Sequence, residues 1–226
     1  MTARTAQFVR RWSMYDFIAI EGNIGAGKTT LANLLSDDLD SKLILEEFAD
    51  NPFLPKFYKE PEKHAFPLEL FFLAERYHQL KSHFASPDLF KQSTVSDYFI
   101  GKSLIFAKTN LMTDELRLFR NLYDIMFSNL PKPDLLIYLH LDTEDLQKNI
   151  RKRGRDYEQK IEDTYLERVQ QSYLEFLRQQ EGLRTVILSM KNIDFVGNIS
   201  HFVRIKEVIQ RNFPTGLNFV DLSEDI

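Results

Sequence analysis

The chain has 226 residues, no cysteine, and a formal net charge of −4 with a pI of about 5.8. This length suits one α/β domain with its own core, and the lack of cysteine excludes disulfides, cysteine-ligated zinc and thiol catalysis. The acidic balance gives no overall attraction to nucleic acid or anionic membrane, and no apolar run reaches the roughly 20 residues that span a bilayer, so we expect a cytoplasmic protein with neither as a partner.

Three segments are predicted along the chain. Residues 1–13 carry three arginines without hydrophobic periodicity, which indicates a flexible N-terminal tail. A basic targeting peptide is the alternative, because acidic residues are missing there. No linker rich in Pro, Gly or Ser divides the rest, so we expect one domain over residues 14–211 and a C-terminal tail over 212–226.

A phosphate-binding loop is the most specific motif. Residues 22–29 fit G-x-x-x-x-G-K-[ST] at every fixed position. A short apolar strand over 15–20 precedes the loop, and a helix with leucines at helical spacing follows it, at positions 31, 34, 35 and 39. Glycines allow backbone N–H groups to turn toward phosphate oxygens, and the helix N-terminus adds positive potential. The loop therefore predicts a nucleoside triphosphate site.

Each residue of this loop has an expected part in holding ATP and Mg²⁺. Lys28 is expected to reach the β and γ phosphates, and the Thr29 hydroxyl to ligate Mg²⁺. The predicted donor-binding residues of the loop are Gly22, Asn23, Ile24, Gly25, Ala26, Gly27, Lys28, Thr29 and Thr30.

Two further strands each lead into a carboxylate. The strand over 43–45 is followed by Glu46, a candidate base, with a solvated loop as the alternative. The strand over 94–97 ends in Asp97, which we expect to join the Mg²⁺ shell through water. A helix N-cap is the alternative for Asp97.

The residues between these two strands are expected to form the roof of a pocket. Residues 48–67 are aromatic and punctuated by proline, too irregular for a long helix. A helical pattern begins at Leu68, and Glu69 lies beside its apolar face. Two more helices are predicted over 99–110 and 113–130, followed by a buried strand over 134–139.

A basic segment comes next. Residues 151–158 place four cations within five positions, which repel one another unless they meet an anion. We therefore predict a lid in which Arg153 and Arg155 close over polyphosphate and exclude water; a solvated charge run at a helix end is the alternative. A long helix, a fifth strand over 185–188 and a last helix follow, and the intervening Asp194 and Phe195 are expected to touch the adenine.

These elements resemble the deoxyribonucleoside kinases, of the bacterial deoxyadenosine and deoxyguanosine kinase type, over residues 14–211. The matching segments are 20–30, 58–61, Arg153-Gly154-Arg155 with Glu158, and Tyr165-Leu166. The resemblance implies a P-loop kinase fold. We expect a five-stranded parallel sheet with helices on both faces and a basic lid.

The resemblance also implies roles for single residues. Glu46 would take the proton of the sugar 5′-hydroxyl, and Tyr58 and Glu158 would hold the 3′-hydroxyl. Arg153 and Arg155 would stabilise the transferred group. Asp97 matches the metal carboxylate of the family, and the helices at 99–130 would form a homodimer.

Two departures from the family pattern concern cations. The arginine that follows the metal carboxylate in the family is Tyr98 here, so one phosphate-facing cation is missing. A further arginine is replaced by Asn149, with Lys148 or Arg151 as possible substitutes. Both replacements leave open whether catalysis is weakened.

A third departure concerns the base. The glutamine that reads the base edge in the family is Glu69 here. An ionised carboxylate only accepts hydrogen bonds, which suits the paired donors of guanine, whereas a protonated one would serve adenine. We therefore predict a purine substrate, with deoxyguanosine favoured.

The predicted activity is ATP-dependent phosphorylation of a deoxyribonucleoside 5′-hydroxyl, for nucleotide salvage. A kinase of another small acceptor, such as a nucleoside monophosphate, stays open because Lys56, Lys59 and Lys63 lie near Tyr58. A nucleotide-binding regulatory module without catalysis is the third alternative. The sequence leaves the preferred base and the donor nucleotide open.

Overall fold

One parallel sheet organises the chain. A computed structural model describes residues 14–47, 51–86, 90–91 and 93–222, and within them six parallel strands pair in the order β2-β3-β1-β4-β5-β6. The strands are β1 (Phe17–Gly22), β2 (Lys42–Ile44), β3 (Thr94–Ser96), β4 (Leu135–His140), β5 (Arg184–Ser189) and β6 (Gly216–Asp221). The predicted N-terminal tail, residues 1–13, lies outside the described residues.

Helices cover both faces of this sheet. They are α1 (Lys28–Leu39), α2 (Leu54–Phe57), α3 (Pro61–Ala85), α4 (Lys102–Asn110), α5 (Thr113–Phe127), α6 (Thr143–Arg153), α7 (Asp163–Arg178) and α8 (Ile199–Ile209), with a short 3-10 helix at Asp156–Glu158. Apolar residues of α1, α6 and α8 pack in one core cluster, and those of α3, α4, α5 and α7 pack in another. No helix in the described ranges is long and apolar enough to cross a membrane.

The central strand β1 shows why its first four residues, 17–20, are all apolar. Ile18 and Ile20 join one core cluster, while Phe17 and Ala19 join the other. Successive side chains of a strand point to opposite faces, and both faces of this sheet are covered by helices. The continuous apolar run that predicted a buried parallel strand follows from that burial.

The predicted α/β class is confirmed, but the predicted count of five strands is wrong. The sixth strand, β6, lies within residues 212–226, which we had interpreted as a tail, and pairs with β5 from Gly216 to Asp221. β6 is the last strand in the sheet order, and Phe219 on it is 70% exposed. An edge strand of this kind lacks the continuous apolar run of the inner strands, so pattern alone did not identify it.

Helix α3 begins earlier than predicted. It starts at Pro61 and contains Pro67, whereas the helical pattern was expected from Leu68. Proline at the first helical position is favourable because its missing N–H has no intrahelical partner there. Pro67 removes one backbone hydrogen bond, yet burial of Ala65 and Leu68 stabilises this part of the helix.

The strand order brings the predicted site residues together. β1 lies between β3 and β4, so the chain reverses direction across the sheet at this point. Ligands of open α/β sheets bind at such a switch point, outside the carboxyl ends of the strands. The phosphate-binding loop after β1, Glu46 after β2 and Asp97 after β3 all lie at this edge.

Candidate active site

The phosphate-binding loop takes a conformation that its glycines allow. Gly25 and Gly27 have φ values of 84° and 87°, in the left-handed region. A Cβ on Gly25 would lie 2.7 Å from the carbonyl oxygen of Leu146 on α6. Helix α1 begins directly after Gly27, so the N–H groups of its first turn point toward the cleft.

The substitution Gly25→Ala is expected to lower the free energy of unfolding by about 2 kcal/mol or more, because strain in the left-handed region adds to a clash with fixed backbone. Chemical denaturation measures the change. Gly182→Ala is the matched control, since a Cβ there meets nothing within 4 Å. Equal stability of the two variants would contradict the assigned loop geometry.

The loop curls around its lysine. Lys28 Nζ donates hydrogen bonds to the carbonyl oxygens of Gly22 (3.0 Å) and Asn23 (2.9 Å). Burial, and then the neighbouring Lys102, lower the pKa of Lys28 to about 8, against the effect of nearby carboxylates. The ammonium is thus desolvated, which strengthens its attraction for an anion that binds beside it.

Two asparagines support the backbone of the loop and its neighbours through hydrogen bonds. The buried Asn23 Nδ2 donates to the carbonyl oxygen of Leu166 on α7 (2.8 Å), and Asn149 Nδ2 donates to that of Gly25 (2.8 Å). Asn149 thus holds the loop backbone rather than supplying a charge. Neither Lys148, which pairs with Glu144 and Asp145, nor Arg151 lines the cleft, so neither replaces the missing arginine.

Asp97 joins the loop to the end of β2. Its Oδ2 accepts from Thr29 Oγ1 (2.5 Å), and its Oδ1 accepts from the backbone N–H of Glu46 (2.7 Å). A carboxylate and a hydroxyl side by side, beside a phosphate loop, fit Mg²⁺, which prefers oxygen ligands and completes its shell with water and phosphate. Asp97 is not the N-cap of α4, which begins at Lys102, and its metal role stays a prediction.

Glu46 is clamped by two cations that sequence reasoning missed. Arg76 Nε donates a hydrogen bond to Oε1 (2.8 Å) and Arg76 Nη2 lies 2.6 Å from the same oxygen in an ion pair, while Lys102 Nζ donates to Oε2 (2.5 Å). Burial raises the pKa of Glu46, but Lys102 and Arg76 outweigh it and lower the pKa to about 2. Arg76 follows Glu69 by seven residues, which is two helical turns, so both lie on one face of α3, and this spacing could have identified Arg76 from the sequence. No local pattern indicates Lys102.

Glu69 is buried in the same cavity, with 2% of its surface exposed. Its Oε1 accepts from Asn110 Nδ2 (2.7 Å), and Asn110 Oδ1 accepts from the Tyr165 hydroxyl (3.2 Å). Glu69 Oε2 has no hydrogen-bond partner among the described residues. Burial raises the pKa of Glu69 to about 7, although the hydrogen bond from Asn110 and the charge of Arg76 act in the opposite direction.

Tyr98 takes no part in the site. Its side chain is fully buried and its hydroxyl donates to Gln79 Oε1 (2.9 Å). The position where the family has arginine therefore faces the core between α3 and the sheet.

A fourth carboxylate, Glu21 on β1, fixes the segment after Asp97. Its Oε1 accepts from the backbone N–H of Phe99 (2.6 Å), and its Oε2 accepts from the Tyr173 hydroxyl on α7 (2.8 Å). Burial raises the pKa of Glu21, against the charges of Lys102 and Lys28. The start of α4 is thereby tied to both β1 and α7.

The lid closes over the cavity with its charges paired. Helix α6 ends at Arg153, and Gly154 follows in a left-handed conformation. Arg153 and Arg155 both pair with the buried Glu158, the latter at 3.1 Å. Tyr157 on the lid stacks on Tyr58 with ring centroids 6.0 Å apart, so the lid rests on the segment after α2.

Two cavities meet at the phosphate-binding loop. The inner cavity, of about 120 Å³, is lined by Ile24, Glu46, Tyr58, Glu69, Arg76, Asp97, Lys102, Asn110 and Glu158, among others. The outer cleft, of about 590 Å³, is lined by Gly25, Ala26, Gly27, Thr30, Asn149, Lys152, Asp194 and Phe195, among others. Both are lined by Lys28, Thr29, Arg153 and Arg155.

Most of the predicted site residues line the cavity expected for them. Three residues predicted to bind the donor nucleotide do not line the outer cleft. Gly22 and Asn23 line neither cavity, and Ile24 lines the inner one. Asp194 lines the outer cleft, but its Oδ1 already accepts from the backbone N–H groups of Val196 and Gly197. Phe195 is the apolar surface that this cleft offers to a planar ring.

Comparisons with known proteins agree with this geometry. The family model described as "Deoxynucleoside kinase" matches residues 18–213. A deoxyguanosine kinase of Bacillus subtilis is 41% identical over 196 residues, covering 84% of this chain and 93% of that protein. A deoxyadenosine/deoxycytidine kinase of the same organism is 30% identical over 198 residues, covering 86% of this chain and 91% of that protein. A deoxyadenosine kinase structure from M. mycoides, solved with dCMP and dCDP as products, has a TM-score of 0.74 and 25% identity, and covers 85% of this chain and 98% of that chain.

Proposed function

The chain belongs to the deoxynucleoside kinase family, and from this we propose that it transfers the terminal phosphoryl group of ATP to the 5′-hydroxyl of a purine deoxyribonucleoside. The family match confirms the resemblance found in the sequence and makes the chain a phosphotransferase with an alcohol acceptor. Deoxyguanosine is our preferred acceptor, ahead of deoxyadenosine.

The observation that supports this proposal most strongly is the junction of the two cavities. Lys28, Thr29, Arg153 and Arg155 line both the inner cavity and the outer cleft. A phosphoryl group that moves from a donor in the cleft to an acceptor in the cavity must pass between these side chains. Three of them are cations, which suits the charge spread over the transferred oxygens.

Glu46 would position the acceptor hydroxyl and take its proton. The two cations on its carboxylate keep it ionised, so it can accept the hydrogen bond of the 5′-hydroxyl. The transition state of phosphoryl transfer is loose, with little bonding to the attacking oxygen, so we infer that the hydroxyl proton passes to Glu46 late in the transfer.

Thr29 and Asp97 would hold Mg²⁺, with Lys28 beside them. When bound, Mg²⁺ supplies positive charge to the β and γ oxygens of the donor. Lys28 would exchange its two carbonyl partners for phosphate oxygens, and Arg153 and Arg155 would turn from Glu158 toward the transferred group.

Tyr58 and Glu158 are proposed to hold the sugar. Both line the inner cavity next to the lid, and Glu158 is among the groups that raise the pKa of Tyr58, after burial and Tyr165. A phenol and a carboxylate together offer a donor and an acceptor, which suits a 3′-hydroxyl. Once the arginines turn to phosphate, Glu158 is free to accept from that hydroxyl.

Glu69 is proposed to read the base, positioned by Asn110. Asn110 occupies Oε1, and the buried Oε2 has no partner among the described residues, so we assign Oε2 as the oxygen that accepts from a donor on the nucleobase. An ionised Glu69 matches the N–H groups on the Watson–Crick edge of guanine, and a protonated one matches adenine. Phe72 and Phe106 line the same cavity and offer flat apolar surface to a purine.

The two alternative functions have less support. A nucleoside monophosphate acceptor would need cations near its phosphate, but Lys56, Lys59 and Lys63 do not line the inner cavity. A regulatory module would have no use for the intact cluster of Lys28, Glu46 and Asp97. A homodimer through α4 and α5 stays a prediction; Leu118 and Ile125 on α5 are exposed.

An assay of ADP release tests the function. We expect turnover with deoxyguanosine and deoxyadenosine, and at least about 100-fold lower kcat/KM with thymidine or deoxycytidine, because a mismatched hydrogen-bonding edge leaves buried polar groups unpaired. Nucleoside monophosphates serve as the comparison acceptors. A clear preference for pyrimidines, or for monophosphates, would contradict the proposal. ATP binding without turnover of any acceptor would favour the regulatory module.

A further inference from the structure

A second buried lysine, Lys102, lies in the inner cavity. It is the first residue of α4 and is 6% exposed. Lysine is almost never buried to this extent unless it is paired, because removing an ammonium from water is costly. Lys102 lines the inner cavity and not the outer cleft, whereas Lys28 lines both. Lys102 is paired with Glu46, and its place in the inner cavity alone puts its charge on the acceptor side.

The fold fixes the position of Lys102 firmly. Glu21 holds the backbone of Phe99, three residues earlier. A Cβ on Gly101 would lie 2.5 Å from Phe99 and 2.7 Å from Phe176, so the turn into α4 is tightly packed. The ammonium also lies over the ring of Phe106, 5.8 Å from its centroid. The lysine is thus preorganised, which is what electrostatic stabilisation of a reaction requires.

The hydrogen bonds on Glu46 indicate where an acceptor hydroxyl would dock. Oε1 accepts one hydrogen bond, from Arg76 Nε, and also lies 2.6 Å from Arg76 Nη2 in an ion pair, while Oε2 accepts one hydrogen bond, from Lys102. A carboxylate oxygen has about two acceptor positions, and the guanidinium crowds both of those on Oε1, so the more open position is on Oε2. A hydroxyl bound there shares its acceptor with Lys102 and lies beside the ammonium.

Lys102 has protons left for such a contact. An ammonium carries three donors, and among the described residues Glu46 is its one hydrogen-bond acceptor. Lys102 is also among the causes that lower the pKa of Lys28, so the two ammonium groups act on the same space. Tyr98, which stands where an arginine was expected, turns into the core. Of the two cations that line the inner cavity and not the outer cleft, Arg76 already donates to both Glu46 and Ser103, so Lys102 is the one with more donors left for an acceptor.

We propose that Lys102 is a catalytic residue whose ammonium contacts the 5′-oxygen and the phosphoryl group during transfer, acting from the acceptor side while Lys28 acts from the donor side. This inference rests on the proposed function. In the step, the 5′-oxygen forms a bond to the γ-phosphorus, the bond from that phosphorus to the β–γ bridging oxygen breaks, and the hydroxyl proton goes to Glu46. Lys102 keeps its protons throughout.

Four variants test this role: Lys102→Met, Lys102→Gln, Lys102→Arg and, as the matched control on the same helix, Lys108→Met. Lys108 is 44% exposed and pairs with Glu175, away from the cavity. Removing Lys102 is expected to lower kcat by about 100-fold or more, the usual effect of losing one donor to a developing anion. Lys102→Arg should recover at least about tenfold, because it restores the charge, and Lys108→Met should match the wild type.

Binding without a donor nucleotide or metal gives a second readout. Isothermal titration calorimetry with deoxyguanosine and its 5′-monophosphate compares a neutral 5′-end with an anionic one. For Lys102→Met and Lys102→Gln, we expect the monophosphate to lose at least about tenfold in affinity and deoxyguanosine to change by less than about threefold. A purely structural lysine would weaken both ligands equally.

The outcomes separate the inference from the function on which it rests. Turnover of deoxynucleosides by the wild type decides the function. A folded Lys102→Gln variant with kcat within about threefold of the wild type would overturn the role of Lys102 alone. An equal loss of affinity for deoxyguanosine and for its 5′-monophosphate in calorimetry would also overturn this role. Lys102→Gln keeps a donor toward Glu46, so it provides the test if Lys102→Met fails to fold.

Discussion

The substitution Glu46→Gln is expected to lower kcat by about 1,000-fold, within the range for losing a positioned general base. Glutamine keeps the shape of the side chain but loses the charge that accepts the hydroxyl proton and holds Arg76 and Lys102. The KM for the nucleoside should change much less, because the base and the sugar are held by other residues. Steady-state kinetics with deoxyguanosine and ATP measures both parameters.

Glu47→Gln is the control for this prediction, because the neighbouring Glu47 is exposed and lines neither cavity. It should keep wild-type kinetics. Thermal unfolding must accompany the kinetics, since Glu46→Gln leaves two buried cations without their anion. A folded Glu46→Gln enzyme with kcat within about tenfold of the wild type would rule out the assigned base.

The substitution Glu69→Gln is expected to change the preferred base. An amide donates as well as accepts, so it loses one acceptor toward guanine and gains a donor toward adenine. We expect kcat/KM for deoxyguanosine to fall by about 100-fold and that for deoxyadenosine to rise, which would reverse the order of the two purines. Competition between the two nucleosides in one reaction gives the ratio directly.

The pH dependence of this ratio follows from the raised pKa of Glu69, about 7. Below that pH the carboxyl is protonated and can donate to adenine, and above it the carboxylate only accepts and favours guanine. The groups that act on Glu69 are Asn110, Arg76, Glu46 and Lys102, and the Tyr165 hydroxyl reaches it through Asn110. The preference for deoxyguanosine over deoxyadenosine should therefore rise from about pH 6 to about pH 8.

Two variants make this pH test specific to Glu69. In Glu69→Gln the purine ratio should be flat with pH, because the titrating group is gone. Glu75→Gln lies on the same helix but lines neither cavity, so it should keep the wild-type ratio and its pH dependence. A pH-dependent ratio that survives in Glu69→Gln would show that another group reads the base.

The sequence predicted much of the fold because most of the inner strands and the phosphate loop are encoded locally. The loop motif specifies its own backbone through Gly25 and Gly27, and a buried parallel strand requires an apolar run wherever it stands. Glu46 and Asp97 were identified because parallel strands end at one edge of the sheet. The roles of these residues in catalysis stay predictions.

The features that sequence missed depend on distant parts of the chain. Strand β6 is defined by pairing with β5 and not by its own pattern, and Pro67 stays helical because its surroundings are buried. Arg76 and Lys102 converge on Glu46 from different helices, although they lie 30 and 56 residues away along the chain.

The chain by itself thus determined that a phosphate-loop motif and two carboxylates at strand ends are present, since each depends on a short motif or on the end of one strand; their roles as base and metal ligand stay predictions. Only the tertiary structure decided which cations contact them. Tyr98 turns inward and Lys102 turns toward the cavity because packing against α3, α7 and the sheet leaves each side chain one favourable direction. Such directions are set by contacts between elements, and no local pattern records them.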